Sequence, residues 1–453
     1  MNHTFKSASF VTARIGRVAS AGAAVLALGA CTSLLSVDNP NNVSSSALDV
    51  PAAASAIVAG AENLSGNSLS SMLNFYVPAT DEAYWVGSRD DYRLLDSGEF
   101  GINTNEYVQS AYLKVASARW MGDQAVTKIS KFNADGNLFD KQLLVRAYLI
   151  AATNYVNIAD KFDDMVFSDR TVAGANYGEA NMSALYDSAT KWLDLASPLA
   201  TDDNKTYVLG LRARAKQSKA IWQKLNPAGT TPANPLVADA SGMVADAQAA
   251  LASGSGDWKF DITTSDLNQG DGSGGGFGFE MNSRVEYTPN ADLVNVGSNG
   301  KPTKVIAVDP VTNAIDATAA KLIGAIVFAP SASLNSPPLT QASAREMYLI
   351  IAEAALAAGN TAGFDTAINS LRAIDGKAAY TGAGPTRSQL LQWERRVQLI
   401  FQGRRLNDMY RFGVKDPRWV SASLAFNKPG CLFPIPLIER DSNKKVTGTP
   451  VCQ

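Results

Sequence analysis

The spacing of apolar positions along the chain predicts a mainly helical protein. In the segments between residues 51 and 252, apolar side chains recur every three or four residues, as they do along one face of an α-helix. Small alanines alternate there with large apolar residues, which lets neighbouring helices approach closely, a pattern shared by tetratricopeptide-like helix pairs. The helices predicted in this part of the chain are 51–64, 106–132, 141–162, 182–199, 207–225 and 241–252.

One of the longest unbroken helical patterns runs from residue 388 to residue 413. Thr386, followed by Gln389, predicts a capping box at its start, since a hydroxyl and an amide side chain can satisfy free backbone N–H groups there. The glycine at its last position suits a helix end, because glycine adopts the left-handed cap conformation at little cost. Arg404 and Asp408 have the i, i+4 spacing of a helical ion pair. Composition alone favours a solvated face with weak ion pairs.

Residues 253–340 have a different composition. They are rich in Gly, Ser and Asp with interspersed aromatic residues, and the runs 304–308 and 323–328 have the composition of short β-strands. We interpret the segment as a loop-rich insertion on a helical scaffold, where binding residues tend to lie. Three of its residues miss a calcium-loop spacing by one position, so a flexible glycine loop is the better interpretation: Asp266, Asn268 and Asp271.

The N-terminal segment has the pattern of a secretory signal. Lys6, Arg14 and Arg17 precede the apolar run 18–30, and residues 1–30 contain no acidic residue. The run is too short for a membrane span, which takes about 20 residues. It ends in Leu-Gly-Ala-Cys, a lipobox-like tetrad that predicts cleavage before Cys31 and attachment of lipid to its sulfur. Ordinary secretion, with Cys31 as an unpaired thiol, is the alternative.

The other cysteines and the single histidine narrow the chemistry. Cys431 and Cys452 are an even pair that suits a disulfide in an oxidising compartment. Two unpaired thiols are the alternative, because sequence separation does not show whether the two residues meet. The only histidine is His3, inside the predicted signal, so the mature chain would lack histidine-dependent catalysis and histidine zinc sites. Carboxylate chemistry, as in glycosidases, stays open because it needs only two placed acidic groups.

The charge of the chain argues against nucleic acid as a partner. The sequence contains 40 Lys+Arg and 42 Asp+Glu, a formal net charge of −2, and removal of the basic signal makes the mature chain more acidic. No basic patch stands out beyond two Arg–Arg pairs within residues 388–413. Neutralisation of phosphates would need a basic face.

Residues 78–98 combine aromatic, acidic and arginine side chains without clear periodicity. Sugar binding uses flat aromatic faces against the C–H side of pyranose rings, with Asp, Asn and Arg groups for the hydroxyls. This combination makes the segment a candidate for carbohydrate recognition. The alternative is that its aromatic residues, Tyr84 and Trp85, belong to the core.

The segment 394–413 resembles the C-terminal signature of the SusD/RagB family of nutrient-binding outer-membrane lipoproteins. Gln398 and Gln402 stand where the family usually has glutamates. Other segments are similar to the family in the same order along the chain: 145–162, 345–360 with 368–372, and 432–443. The residues that match the signature are Glu394, Arg395, Leu399, Phe401, Gly403, Arg405, Asp408, Arg411 and Gly413.

The resemblance implies a SusD-like fold, mainly α, in which a tetratricopeptide-like helical-repeat scaffold carries a loop-rich insertion containing short strands. The implied divisions are a signal (1–30), a tether (31–50), an N-terminal helical half (51–252), a ligand-side insertion (253–340), C-terminal helices with the signature (341–415) and a tail (416–453). In the family, the early region and the insertion contribute to the ligand surface. We therefore expect eight ligand-binding residues: Asp81, Tyr84, Trp85, Arg89, Trp258, Phe277, Phe279 and Tyr287.

The same resemblance implies a function. We expect the chain to capture an oligosaccharide, or alternatively a peptide, without catalysis or a cofactor, and to deliver it to a SusC-like TonB-dependent outer-membrane transporter. It would be lipid-anchored in the outer membrane, with the cell surface favoured; the first acidic residue after the anchor is Asp38, which leaves the face of the membrane open. The alternatives are an envelope helical-repeat scaffold without a ligand and a carboxylate-dependent glycoside hydrolase.

Overall fold

The computed structural model describes residues 45–239, 241–264, 276–330, 334–448, 450 and 452. The predicted signal, Cys31 and most of the tether lie outside the described residues, as does the calcium-like set Asp266, Asn268 and Asp271. Ser45–Leu48 form a single 3-10 turn, and Pro51–Gln453 make up one unit. The division of that unit into halves, insertion and tail stays a prediction.

Helices dominate the part of the chain before the insertion, as the apolar spacing predicts. Helix α1 is longer than its predicted range, 51–64, because polar residues after Leu64 are buried against other segments. Gly66 is also buried, and a Cβ there would lie 3.0 Å from the carbonyl oxygen of Thr263. The helices are α1 (Ala54–Tyr76), α2 (Asp90–Asp96), α3 (Glu106–Ala134), α4 (Lys141–Lys161), α5 (Ala184–Ala196), α6 (Asp202–Leu225) and α7 (Met243–Ser253).

These helices pack mainly against their neighbours in sequence. Helix α3 packs against α1 and α4, α4 against α5, α5 against α6, and α6 against α7. Consecutive antiparallel-type packing of this kind is what stacked helix pairs use to bury a continuous core. The mainly helical, tetratricopeptide-like scaffold that the sequence predicts is therefore present.

The described strands form three antiparallel two-stranded sheets. The first pairs β1 (Ala83–Trp85) with β3 (Tyr287–Pro289), and the second pairs β2 (Lys259–Ile262) with β6 (Leu339–Ser343). The third pairs β4 (Val294–Val296) with β5 (Pro302–Val305), which overlaps the predicted strand 304–308. Each sheet is too small to form a core of its own, so the strands lie on the helical scaffold.

The other predicted strand, 323–328, is wrong, because most of it lies inside helix α8 (Ala317–Val327). Asp316 begins this helix: one of its carboxylate oxygens accepts hydrogen bonds from the N–H groups of Thr318 and Ala319 at 2.9 and 3.0 Å. The cap precedes the apolar run by several residues, and a short apolar run alone does not distinguish a strand from a buried helix.

The C-terminal helices are α9 (Ala344–Ala357), α10 (Thr361–Ala373), α11 (Arg387–Gln398), α12 (Arg405–Phe412), α13 (Leu424–Asn427) and α14 (Leu437–Ser442). The single helix predicted over 388–413 is therefore wrong, since α11 and α12 are separate. Phe401 and Gly403, between them, have φ values of 57° and 73°. The Phe401 N–H donates to the buried carboxylate of Glu82 at 2.8 Å, so a tertiary contact holds the break.

Both predicted ends of that segment are confirmed. The Thr386 side chain accepts from the Gln389 N–H, and the Gln389 side chain accepts from the Thr386 N–H, which completes the capping box. Gly413 ends α12 in the left-handed conformation, with φ 68° and ψ 24°. These local signals depend on neighbouring residues alone, so the sequence is sufficient to locate them.

The charges of the signature are buried rather than solvated, which corrects the interpretation from composition. Arg411 is 0% exposed and pairs with Glu353, which is also 0% exposed, and with Asp408 at 2.8 Å. Arg404 pairs with Glu346 on α9 at 3.2 Å instead of with Asp408, its predicted partner. Breaking one such buried pair costs about 3–5 kcal/mol, because it leaves an uncompensated charge in the interior.

The tail is held by a covalent and a backbone link. Cys431 and Cys452 form a disulfide, which confirms their predicted pairing. Just after Cys431, the Phe433 N–H donates to the Lys161 carbonyl at 3.0 Å, and the Asp163 N–H donates back to the Phe433 carbonyl at 3.0 Å. The tail therefore packs against the end of α4.

Candidate functional site

Strands β1 and β3 bring together residues that are about 200 positions apart in the sequence. Trp85 lies opposite Tyr287, and Tyr84 lies opposite Thr288. Directly opposed residues of an antiparallel pair point to the same face. Trp85 and Tyr287 therefore share one face of the small sheet, and Tyr84 lies on the other. We call residues 83–89 and 277–289 the rim.

Two of the expected ligand-binding aromatic residues support the rim from inside the protein. Tyr287 is 0% exposed and Phe277 is 1% exposed. The Tyr287 hydroxyl donates to the Asn74 side-chain oxygen at 2.9 Å, and burial raises the pKa of Tyr287 well above its ordinary value. The Phe277 ring packs against Phe401, with ring centroids 5.6 Å apart. Neither ring presents a face to solvent in this arrangement.

Trp85 and the loop that follows it are positioned by Glu286. The N–H groups of Val86 and Gly87 both donate to the Glu286 carbonyl at 3.0 Å. The Glu286 carboxylate accepts from the N–H groups of Ser88 and Arg89 at 2.9 Å each. The loop is thus fixed without a ligand. Glycine is required in it, because a Cβ at position 87 would lie 2.2 Å from a Glu286 carboxylate oxygen and 2.5 Å from its Cα.

The exposed parts of the rim carry aromatic and cationic groups. Trp85 is half-buried, and its indole N–H is buried without a hydrogen-bond partner. Phe279 is also half-buried. The Arg89 side chain is 45% exposed and lies 3.6 Å from the Glu106 carboxylate, which is 54% exposed. An exposed pair of this kind contributes about 0–1 kcal/mol, so Arg89 can exchange its partner at little cost.

Tyr84 lies under an arginine that the sequence did not single out. The Arg418 guanidinium carbon is 5.5 Å from the centre of the Tyr84 ring. Asp96 and Asp416 each accept a hydrogen bond from Arg418 at 2.6 Å. Burial raises the pKa of Asp416 to about 6. Arg418 belongs to the tail, and only the fold brings it to β1.

Asp81 anchors the rim to the signature helices. Its two carboxylate oxygens accept from Arg405 at 2.6 and 2.7 Å, and Arg396 is 3.5 Å away. Burial opposes ionisation of Asp81, but the Arg405 charge and hydrogen bonds outweigh it and lower the pKa of Asp81 to about 2. Both carboxylate oxygens of Asp81, which lies two residues before β1, therefore accept hydrogen bonds from Arg405.

Trp258, another of the expected ligand-binding residues, is not part of the rim. It precedes β2, whose partner is β6, and the Ala344 N–H donates to its carbonyl at 3.0 Å. Its ring packs between α6 and α7, where a Cβ at Gly210 would lie 2.6 Å from the indole and one at Gly254 would lie 2.3 Å from it. The structure thus places Trp258 just before a different sheet from that of Trp85, with its ring against two glycines.

Two buried carboxylates belong to the rim and were not recognised in the sequence. Arg284 is 3.2 Å from Glu280 and 4.0 Å from Glu286. Glu280 is 0% exposed and Glu286 is 4% exposed. Burial raises the pKa of Glu280 to about 7. Their proximity follows from the π-helical turn Glu280–Arg284, for which the sequence gives no clear signal.

The described residues contain neither a cluster of three or more His, Cys, Asp or Glu arranged to hold a metal ion nor a helix with the length and apolarity of a bilayer span.

The chain is similar to solved structures over most of its length. A SusD superfamily protein from Bacteroides thetaiotaomicron is 14% identical, with a TM-score of 0.59 over 88% of this chain and 100% of that chain. A putative sugar binding protein from Bacteroides vulgatus is 14% identical, with a TM-score of 0.60 over 89% and 99%. A SusD-like carbohydrate binding protein from Bacteroides vulgatus is 15% identical, with a TM-score of 0.54 over 80% and 83%. At these identities the likeness shows the fold.

No curated protein matches the chain. The family model described as SusD family matches residues 345–429, which run from the second residue of α9 through α13 and contain most of the buried arginine pairs. This match covers the segment that resembles the signature, and it agrees with the shared fold. Residues 345–429 therefore carry the SusD family pattern, on a fold that the chain shares with SusD superfamily structures.

Proposed function

We propose that this protein binds an oligosaccharide nutrient at the rim and delivers it, without breaking a bond, to a TonB-dependent outer-membrane transporter. The observation that carries the proposal is the fixed loop at Trp85, which places aromatic and arginine side chains at one edge of the β1–β3 sheet. Two similar structures are described as carbohydrate or sugar binding proteins, which supports the same ligand class.

The rim suits carbohydrate for a physical reason. An aromatic ring offers a flat apolar face to the C–H side of a pyranose, and an exposed guanidinium donates hydrogen bonds to hydroxyls. Trp85, Phe279 and Arg89 supply these groups, whereas Tyr84 lies on the other face of the sheet, under Arg418. Because Glu286 already fixes the loop, little conformational entropy is lost on binding, and rigid sites gain affinity in this way.

The acidic residues of the rim support binding rather than hydrolysis. A glycosidase needs two carboxyl groups that face the substrate, one to protonate the leaving group and one to act as nucleophile or base. Glu280 and Glu286 are both buried, and the Glu286 carboxylate already accepts the Ser88 and Arg89 N–H groups. We therefore propose that the rim holds the glycan and leaves it intact.

The proposed anchor and partner follow from the family and from the sequence. Cys31 would carry the lipid, and residues 32–50 would link it to the folded unit at the outer membrane, with the cell surface favoured. A helical scaffold that only supports a transporter is the competing function. It predicts co-purification with a barrel but no glycan binding.

Calorimetric titration against a panel of polysaccharides and peptides tests the proposal. We expect saturable binding of at least one glycan, weakened about tenfold or more by Trp85→Ala and by Arg89→Ala, since each loses roughly 1–3 kcal/mol of contact. Trp120→Ala is the matched control, because Trp120 is a half-buried tryptophan on α3 that stacks under Arg170.

Three results would contradict the proposal. Binding of peptides alone would change the ligand class. Release of shorter sugars during incubation would indicate a hydrolase. Wild-type affinity in the Trp85→Ala variant, with native circular dichroism, would remove the rim as the site.

A further inference from the structure

A cavity of 320 Å³ lies at the junction of α4, α6 and the disulfide-linked tail. Asp163, just after α4, lines it on one side, and Trp222 and Asn226, at the end of α6, line it on another. Pro227 and Cys452 also line the cavity. None of these residues belongs to the rim, so the cavity is a separate feature of the fold.

Local structure fixes the two polar walls. The Asn226 side-chain N–H donates to the Trp222 carbonyl at 2.9 Å, which closes the last turn of α6 and leaves the amide oxygen as an acceptor. On the other side, the Asp163 N–H is bound to Phe433 and the tail is tied down by Cys431–Cys452. The cavity is therefore preformed.

Asp163 is the unusual group in this wall. One carboxyl oxygen accepts from the Leu432 N–H at 2.8 Å, but the other is buried and has no hydrogen-bond partner. Burial raises the pKa of Asp163 well above its ordinary value, despite the Leu432 hydrogen bond. A higher pKa favours the protonated form of Asp163, whose O–H is a hydrogen-bond donor. Buried polar groups are nearly always paired, so the unpaired oxygen in this wall points to a ligand in the adjoining cavity.

We propose that this cavity binds one neutral, polyhydroxylated ring of monosaccharide size, stacked on Trp222 and hydrogen-bonded to Asp163 and Asn226. The volume lies at the lower end of the range for small-molecule sites, about 300–1,000 Å³. The described lining residues include the acidic Glu179 and no Lys or Arg, which disfavours anions. The alanine, proline and indole surfaces of the wall suit the C–H groups of the ring. Protonated Asp163 can donate a hydrogen bond to a ring hydroxyl, and the Asn226 amide oxygen can accept one.

The site is tested by calorimetric titration of the full chain with neutral pyranose monosaccharides and, separately, with methylammonium. We expect a monosaccharide to bind with a Kd of about 1 mM or lower. Trp222→Ala and Asp163→Ala should each weaken this binding about tenfold, as expected for loss of roughly 1.4 kcal/mol. Asp163→Asn, which keeps an N–H donor in place of the acid O–H, should stay within about threefold of the wild type.

Two further variants separate this site from the rim. Trp85→Ala reports on the rim, so monosaccharide binding that disappears in it belongs to the rim and overturns the proposal. Trp120→Ala, far from both walls in sequence, should leave the titration unchanged. The proposal is also overturned if no monosaccharide binds up to about 10 mM, above the millimolar range of a single small ring. Binding of methylammonium but of no monosaccharide would also overturn the proposal. So would a folded Trp222→Ala protein that binds the monosaccharide with the affinity of the wild type.

Discussion

Removal of Arg405 should destabilise the protein strongly and weaken the rim. Its guanidinium makes two hydrogen bonds to Asp81, at 2.6 and 2.7 Å, and the side chains are 7% and 12% exposed. Arg405→Ala would leave the Asp81 carboxylate buried, with Arg396, at 3.5 Å, and Arg418 as its remaining cationic neighbours. Loss of one partner of a buried pair costs about 3–5 kcal/mol. We expect a loss in that range in the free energy of unfolding.

A second estimate comes from the titration of Asp81. The pKa of Asp81 is lowered from 3.8 to about 2, which corresponds to about 2 kcal/mol of stability from the charged form. Because the folded-state pKa is the lower one, this stability is complete above pH 3.8 and is lost as the pH falls towards 2. Arg405→Ala should remove this part of the acid dependence.

Urea denaturation at pH 7 and at pH 3 measures both effects. The double variant Asp81→Ala/Arg405→Ala is the control, since it removes both charges, and it should be more stable than the sum of the single variants implies. A loss below about 1 kcal/mol in Arg405→Ala, or strictly additive single and double variants, would refute the argument that the pair is buried and coupled.

Three other changes have defined outcomes. Burial raises the pKa of Glu82 from 4.5 to about 8, so the free energy of unfolding of the wild type should decrease as the pH rises from 4.5 to 8. In urea denaturation, Glu82→Gln should make this decrease smaller, and an unchanged pH profile would contradict this. The Cys431–Cys452 disulfide closes a loop with a sequence separation of 21. Its reduction should lower the free energy of unfolding, measured by thermal unfolding, by about 2–4 kcal/mol. The reductant should have no effect on the Cys431→Ser/Cys452→Ser variant. Gly87→Ala should displace the rim loop and weaken glycan binding about tenfold or more, whereas Gly60→Ala, where a Cβ would meet only Met121 at 3.7 Å, should bind normally; equal affinities would show that the loop is not part of the site.

Local signals in the sequence were sufficient for most of the helical scaffold and for the two ends of the signature segment. The Thr386–Gln389 capping box and the Gly413 cap depend on residues within one turn, and the structure shows both. The cysteine pair was also recognisable from its parity, although only coordinates show that Cys431 and Cys452 meet. The two caps are predictable because the same few neighbouring residues carry the sequence signal and make the contact.

Contacts between distant residues account for what the sequence did not predict. The break between α11 and α12 depends on Glu82, 319 positions from Phe401, and the Arg405–Asp81 pair spans 324 positions. Helical spacing continues across the break, so pattern alone predicts one helix. For the same reason, composition suggested a solvated face for arginines that are buried against partners on other elements.

The candidate site was predictable in its chemistry and less so in its geometry. The sequence pointed to the segment of Tyr84 and Trp85, but not to Glu286, which fixes their loop. It also grouped Trp258 with them, because Trp258 is an aromatic residue near a polar loop, whereas strand pairing puts it next to another sheet. Pairing between short strands is set by the scaffold beneath them, which a reading of the strands alone does not contain.

Glycan binding at the rim can be observed in a crystal of the protein soaked with the oligosaccharide that binds most tightly in the panel. We expect an intact glycan in contact with the Trp85 ring and within hydrogen-bond distance of Arg89. A glycan bound elsewhere with the rim empty, or a cleaved product beside Glu280 and Glu286, would contradict this expectation.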